Sequence, residues 1–584
     1  EESGFQDMQD ELFLPLQSIL ATSYLQQLQG SDSPYLRDSQ FLQLLDTIES
    51  RIFDLPIFDS KPDLQSLAGY ESESDEANLR ITSDLIVTFA ELLEAGRRFS
   101  AASNMCQMYI NHCEEKISTT QNPQIKLKFL NDRVTALYRL ARASLKHYRD
   151  SKDYKSLVAA VNAIEAYKAR SVLADSNVLM NNNPRKRGRV TKFRTIEVDD
   201  IKGYFPNNVY IIVFALMQET KVNDGFWFSA LISPQDKHIL FPRFINFEDI
   251  YDPAKAVSDA FQDARSSLVG KYLDEVLETA QLFEPQIQTS LKHLGNILFP
   301  NEVIEYLESK NAERLIIIPE SYLFDVPFPA LKIASGDKSR YLFELNKRKG
   351  TTISISPNLT HFQPYNPKSN VFLDQKEHMR SLTTILSTSP KWRKDLVPIY
   401  GISHRLRQIF ESEAKTDNHS FELDICKDSV QDFLNNLAKS QAVLFFGHGE
   451  VTEKEGSILI ANNGIISEYE INASAAMSQF SAQLVILCAC SGVNANVSVE
   501  RIRKDITGVH TALLKGGVRC VVGSLVPTFP ICGIMLLQEL LNSKTESSTC
   551  DKKLLNVYRA FISHIKLSSP IFWGHFIGFG DALF

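Results

Sequence analysis

Residues 1 to about 180 repeat apolar side chains at intervals of three and four, with few glycines or prolines between them. Leu79, Ile81, Leu85, Ile86, Phe89, Leu92 and Leu93 form one such stripe; Leu127, Leu130, Val134, Leu137, Leu140 and Ala141 form another. That spacing keeps one face of a 3.6-residue helix apolar, so the pattern predicts a helical region. Within it, Ala95-Gly-Arg-Arg-Phe-Ser-Ala-Ala102 sets a small residue where two helices turn, then an aromatic and alanines where they meet. Asp153-Tyr154 followed by Ala159, Ala160, Ala163 and Ala166 is a looser instance.

The helical pattern breaks at residues 181–194. Three asparagines, a proline and six Lys or Arg side chains there cannot supply a core face, which predicts an exposed basic linker. Beyond it the period changes. Asn208-Val-Tyr-Ile-Ile-Val-Phe-Ala215 and Gly225-Phe-Trp-Phe-Ser-Ala-Leu-Ile232 read as strands, with helical stretches such as 254–291 further along. Alternating strands and helices predict an α/β domain over 195–584 with a mainly parallel central sheet.

Four short runs rich in Val, Ile and Leu have the look of central strands covered on both faces: 314–318, 441–446, 483–488 and 518–523. Each ends in a small or polar residue with potential chemistry: Pro319-Glu320, Gly447-His448, Ala489-Cys490 and Gly523-Ser524. Open α/β sheets place their chemistry beyond the carboxyl ends of their strands. The four endings therefore predict one active edge. If the second and third runs are parallel neighbours, about 4.8 Å apart, an imidazole and a thiol emerge side by side. That pair is a nucleophile with its general base.

The chemistry at these positions has a plain alternative in each case. Cys490 reads as the nucleophile, or as a buried inert thiol. His448 reads as the base, or as a loop histidine held between Gly447 and Gly449. Cys488, two residues before Cys490, is expected to point into the domain. With His448, the two cysteines make only three of the four ligands that structural zinc requires, so no metal and no cofactor is expected. His510, His564 and His575 read as surface or packing residues.

Composition narrows the function classes. The 584 residues exceed one compact core, so two or more domains are expected. A formal charge of −8 gives no general affinity for nucleic acid or anionic membranes. Eight cysteines without regular pairing do not make a disulfide framework and suit a reducing, cytoplasmic compartment. No apolar run approaches the roughly 18 to 20 residues of a membrane span. The chain begins at Glu1 rather than Met, which reads as part of a longer protein. A nucleotide-binding reading lacks both the G-x-x-x-x-G-K-[ST] loop and a G-x-G-x-x-G turn opening a helix.

The ordered motifs resemble a CHAT domain, the caspase-like cysteine peptidase module related to caspases and separase and commonly found behind tetratricopeptide (TPR) repeats. Arg314-Leu-Ile-Ile-Ile-Pro-Glu320 with Asp325-Val-Pro-Phe-Pro-Ala-Leu331 resembles its opening strand and Pro-Phe turn. Thr352-Ile-Ser-Ile-Ser-Pro-Asn-Leu359 resembles the next strand. Phe446-Gly-His-Gly449 matches the histidine motif and Leu487-Cys-Ala-Cys490 the cysteine motif. Val521-Val-Gly-Ser-Leu-Val-Pro527 and Ile571-Phe-Trp573, with Phe576 and Gly580, resemble the closing elements. The helical hairpins upstream resemble TPR units, although Phe99 and Tyr154 are 55 positions apart rather than a strict repeat of about 34. A generic helical bundle fits the same pattern. Two departures stand out: Val526 where the family often has Trp, and Ser491-Gly492 after the cysteine, closer to separase and metacaspases.

The resemblance implies a regulated endopeptidase with a Cys490–His448 dyad and the Gly449 and Cys490 N–H groups as oxyanion donors. Glu450 is more simply a solvated loop carboxylate than an orienting group. Many relatives cut after Arg or Lys, with an acidic group in the first pocket. Glu320, Asp325 and Ser524 are the residues expected there, although Glu320 also reads as a surface carboxylate at a strand end. A protein substrate and an activating protein or ligand on the helical array are implied. So are settings in bacterial immunity, with gasdermin-like targets or an RNA-guided CRISPR effector as partner. Membrane and direct nucleic-acid binding are not expected. The alternative of another class is a non-catalytic scaffold, in which the helices and the caspase-like fold serve only as an interaction module.

Overall fold

The computed structural model describes residues 88–120, 123–168, 196–206, 208–218, 225–235, 238–268, 273–335, 338–359, 382–386, 424–426, 429–452, 456–461, 464–477, 480–489, 508–525, 530–541, 549–564 and 566–581, with residues 43, 46 and 408. The chain divides into two compact units, Glu1–Val198 and Asp199–Phe584. The basic linker 181–194 lies outside the described residues.

The described part of the first unit, over 88–168, is helical as its period predicts, while Leu79 to Ile86 of the first stripe lie outside the described residues. Helix 88–95 turns at Gly96 and Arg97 into helix Phe99–Thr119, followed by helices Pro123–Ser151 and Tyr154–Lys168. The Gly96 and Arg98 N–H groups donate to the Leu92 and Leu93 carbonyls at 2.9 and 2.7 Å, closing the end of the first helix. Phe99 and Ala102 are buried, as the Ala95–Ala102 pattern requires. The looser second instance differs: Tyr154 is 40% exposed and Ala159 also faces outward, while Ala160, Ala163 and Ala166 are buried. Carboxylates of helix 88–95 meet cations of helix Pro123–Ser151, with Glu94 contacting Arg142 at 3.3 Å and Lys146 at 3.4 Å.

Among the described residues, the second unit is built on sixteen strands. β1 (Val209–Met217), β2 (Phe226–Ser233) and β3 (His238–Asn246) come first, then β4 (Arg314–Ile318), the hairpin β5 (Lys332–Ser335) and β6 (Lys338–Tyr341), and β7 (Thr352–Ile355). β8 (Leu382–Leu386), β9 (Asp424–Cys426) and β10 (Ala442–Phe446) follow, then β11 (His448–Thr452), β12 (Gly456–Ala461) and β13 (Gly464–Ile466). β14 (Leu484–Cys488), β15 (Cys520–Ser524) and β16 (Phe576–Gly580) close the series. Eleven of them form one sheet in the order β3-β2-β1-β4-β7-β16-β15-β14-β10-β8-β9, while β11-β12-β13 form a small antiparallel sheet. The four central runs expected from sequence are β4, β10, β14 and β15. Their interiors are sealed on both faces, which is why each is apolar without alternation.

Strand direction divides this sheet into two halves. β1, β4 and β7 run parallel to one another and to β16. β15, β14, β10, β8 and β9 likewise run parallel to one another. The two sets meet where β15 pairs antiparallel with β16, Cys520 opposite Gly580 and Ser524 opposite Phe576. The carboxyl ends of β4 and β7 therefore emerge at one edge of the sheet, and those of β10, β14 and β15 at the other.

Helix Cys550–Ser563 joins the halves. Buried Asp551 at its start contacts Arg314 Nε of β4 at 3.5 Å and accepts from Thr352 Oγ1 of β7 at 2.5 Å. Arg314 Nη2 also donates to Thr549 Oγ1 at 3.2 Å. Among the described residues, no helix is long and apolar enough to cross a membrane.

Candidate active site

The His448 and Cys490 segments leave two neighbouring parallel strands. β10 and β14 pair from Ala442 opposite Leu484 to Phe446 opposite Cys488. Their apolar interiors, Val443 to Phe445 and Val485 to Leu487, are at most 1% exposed, and the pairing keeps one register along the whole of both strands. The pairing continues one step further, with the Gly447 N–H donating to the Cys488 carbonyl at 3.2 Å. Along the chain, the offset that pairs Phe446 with Cys488 is also the offset between His448 and Cys490. Cys490 itself lies outside the described residues, as does the side chain of His448.

Past Gly447 the chain turns out of the large sheet into the small one. His448 opens β11 opposite Ile460, with Gly449 opposite Leu459 and Glu450 opposite Ile458. The histidine backbone is therefore tied by an antiparallel ladder immediately after it leaves β10.

Ser524 reaches the same edge at the end of β15, fully buried opposite Phe576. The Leu525 N–H next to it donates to the His575 carbonyl at 3.1 Å, and His575 is itself buried. Cys488 turns inward, with Sγ 4.0 Å from the Gly533 carbonyl, and burial pushes its thiol up. It is a packing residue. His510 is buried against Phe579, and burial lowers its imidazole to about 3; His564 is exposed.

Glu320 and Asp325 are not at this edge. They follow β4, whose carboxyl end emerges where β15 begins rather than where it ends. The strand ends at Gly447, Ala489 and Ser524 share one edge of the sheet, and Pro319-Glu320 lies at the other. The reason is the insertion of antiparallel β16 between the two halves, which reverses the direction of β4. Glu320 is 9% exposed and Asp325 half-buried at the opposite edge, so neither lines a pocket beside His448.

Two supporting residues escape a reading of the sequence. Gly533, in helix Pro530–Leu541, packs against the ends of both strands; a Cβ there would lie 3.3 Å from the Phe446 ring and 3.7 Å from Cys488 Cβ. No local signal marks it. Glu468 opens helix Glu468–Met477 and accepts from the Gly508 N–H at 3.0 Å and from Lys515 Nζ at 3.1 Å. It pins the point where the chain re-enters helix Val509–Lys515. The Ser467-x-x-Glu470 capping signature flags that helix start in the sequence: Ser467 N donates to Glu470 Oε2 at 2.9 Å. Among the described residues, no group of three or more His, Cys, Asp or Glu is placed to hold a metal ion.

The CHAT domain family model matches residues 288–581. No curated protein matches the chain by sequence. Among solved structures, the Saccharomyces cerevisiae separase–securin complex aligns with a TM-score of 0.51 at 11% identity, covering 96% of this chain and 43% of the matched one. A second structure of that complex gives 0.44 at 11% identity, over 96% and 42%. Gingipain R, an Arg-specific cysteine proteinase, gives 0.31 at 12% identity, over 51% and 68%. The chain thus spans less than half the length of the separase chain it aligns with, and what the two share is the fold.

Proposed function

Because the chain belongs to the CHAT domain family, whose fold is that of caspase-like cysteine peptidases, we propose that it is a regulated cysteine endopeptidase. Cys490 is the nucleophile and His448 the general base. The observation that carries this reading is the β10–β14 register, which ends both strands side by side at Gly447 and Cys488, one and two residues short of the dyad. In the reaction, the imidazole takes the thiol proton and the thiolate attacks the scissile carbonyl. The Gly449 and Cys490 N–H groups receive the developing oxyanion. The imidazolium then protonates the leaving amine, and a water deprotonated by His448 hydrolyses the thioester.

The substrate is one protein cut after Arg or Lys, the common choice among relatives. The acid that reads that side chain is not Glu320 or Asp325. The helical unit, TPR-like in its first hairpin, binds the partner or ligand that triggers cleavage, as in TPR-CHAT proteins of bacterial immunity. A gasdermin-like target or an RNA-guided effector fits that setting.

The test is hydrolysis of a fluorogenic peptide panel with Arg, Lys and neutral residues before the scissile bond, run with wild type, Cys490→Ser and His448→Ala. Loss of hydrolysis in both variants, with thermal unfolding unchanged, supports the dyad. Hydrolysis that survives Cys490→Ser overturns it. Biological activity that survives both substitutions favours the scaffold.

A further inference from the structure

We infer that Cys520 and Cys550 form a redox-sensitive thiol pair that closes into a disulfide when hydrogen peroxide reaches it. Cys520 is the first residue of β15 and Cys550 the first of helix Cys550–Ser563; they are 0% and 7% exposed. Both are free thiols, and Cys520 Sγ donates to Cys550 Sγ at 3.8 Å. A disulfide needs about 2.05 Å between sulfurs, so the two must approach by about 1.8 Å.

Gly578 of β16 faces this spot, and a Cβ there would lie 2.9 Å from Leu554 Cδ1 and 3.9 Å from Cys520 Sγ. The glycine lets Leu554 of the helix that carries Cys550 pack close to β16 beside the Cys520 sulfur.

The chemistry has a definite order. The hydrogen bond to Cys550, and then burial, push the Cys520 thiol well up, so Cys520 stays protonated. Cys550, the more exposed of the two, reacts first. Its sulfur attacks one oxygen of hydrogen peroxide; the S–O bond forms, the O–O bond breaks, and the released hydroxide takes the Cys550 thiol proton and leaves as water. Cys520 sulfur then attacks the Cys550 sulfenic acid. The S–S bond forms, and the departing hydroxide takes the Cys520 proton as a second water. Two thiols lose two electrons in total, and the peroxide becomes two waters.

The bond would join the start of β15 to the start of the helix. It closes the segment 520–550, which includes Ser524 and helix Pro530–Leu541. Asp551, the next residue, already ties that helix start to Arg314 and Thr352. Oxidation would reinforce a junction that ion pairing already holds.

The test is peptide mapping of the full chain after hydrogen peroxide treatment and alkylation, without reductant. Trypsin, cutting after Arg519, Lys544 and Lys552, separates Cys520–Lys544 from Thr545–Lys552. The expected result is a linked pair of these peptides in wild type and in Cys532→Ala, absent in Cys520→Ala and Cys550→Ala, and abolished by dithiothreitol. Two outcomes overturn the inference. In one, both peptides stay separately alkylated at a peroxide dose that consumes an exposed model thiol. In the other, the link disappears in Cys532→Ala. Should Cys520→Ala fail to fold, the wild-type and Cys532→Ala maps still decide.

Discussion

Phe446 and Cys488 are register partners at the last rung of two parallel strands, and Gly533 packs against both. A methyl at Gly533 would meet the Phe446 ring at 3.3 Å, close enough that the ring must give slightly. Gly533→Ala is expected to cost under about 1 kcal/mol, and Gly533→Leu about 1–3 kcal/mol by overpacking. Because Phe446 opens the histidine motif, two residues before His448, Gly533→Leu should also lower kcat/KM for peptide hydrolysis about tenfold. Thermal unfolding and steady-state kinetics on the same preparations check this; unchanged kinetics in Gly533→Leu would uncouple the helix from the site.

Asp551 holds a buried charge between Arg314, Thr352 and Thr549. Removing one partner of such a pair strands the other in a dry interior, at about 3–5 kcal/mol. Asp551→Ala is expected to lower the melting temperature sharply, whereas the apolar double variant Arg314→Met with Asp551→Leu should recover most of the loss. Calorimetry on the three proteins gives the comparison. A double variant no better than the single one would mean that the hydroxyl network, not the ion pair, sets the cost.

His510 is buried, and burial lowers its pKa from the ordinary 6.5 to about 3. The unfolded chain takes up a proton near pH 6.5, but the folded chain does not until about pH 3. The stability this neutral imidazole contributes is complete above 6.5 and is lost as pH falls towards 3. Between pH 7 and 4.5 the loss attributable to this residue is about 2–3 kcal/mol. His510→Leu should remove that part of the acid sensitivity. Urea unfolding of both proteins at pH 7 and 4.5 measures it, and parallel slopes would contradict the assignment.

Glu468 caps Gly508, whose φ of +135° is a backbone state that side chains other than glycine rarely adopt. Glu468→Ala removes the acceptor for Gly508 N–H and the partner of Lys515, and is expected to cost about 1–3 kcal/mol. Glu468→Gln keeps an acceptor and should retain about half of that. Gly508→Ala should be at least as costly as Glu468→Ala. Hydrogen exchange at helix Val509–Lys515 would report the loosening directly; full protection in Glu468→Ala would show that the helix is held by packing alone.

Much of this fold is legible in the linear order of residues, for identifiable reasons. The apolar runs at 314–318, 441–446, 483–488 and 518–523 lie within a residue or two of β4, β10, β14 and β15, because strands sealed on both faces carry little polar content. The helical first unit follows from its period. The Tyr154 pattern misleads, because alanines at helical spacing recur on any packed helix, and here the aromatic beside them faces solvent. Cys488 faces inward as expected: residues two apart on a strand share a face, and Ile486, two positions earlier on β14, sits in the core.

What the residues alone determine is local: which segments are strands or helices, which are apolar, and which end in a thiol or an imidazole. Direction within the sheet is not local. Whether Glu320 lies beside His448 or across the molecule depends on β16, a strand more than two hundred positions away, pairing antiparallel with β15 and parallel with β7. Only the tertiary structure decides that, because either orientation of a buried strand hides the same side chains from water, and the choice rests on how the whole sheet satisfies its backbone hydrogen bonds.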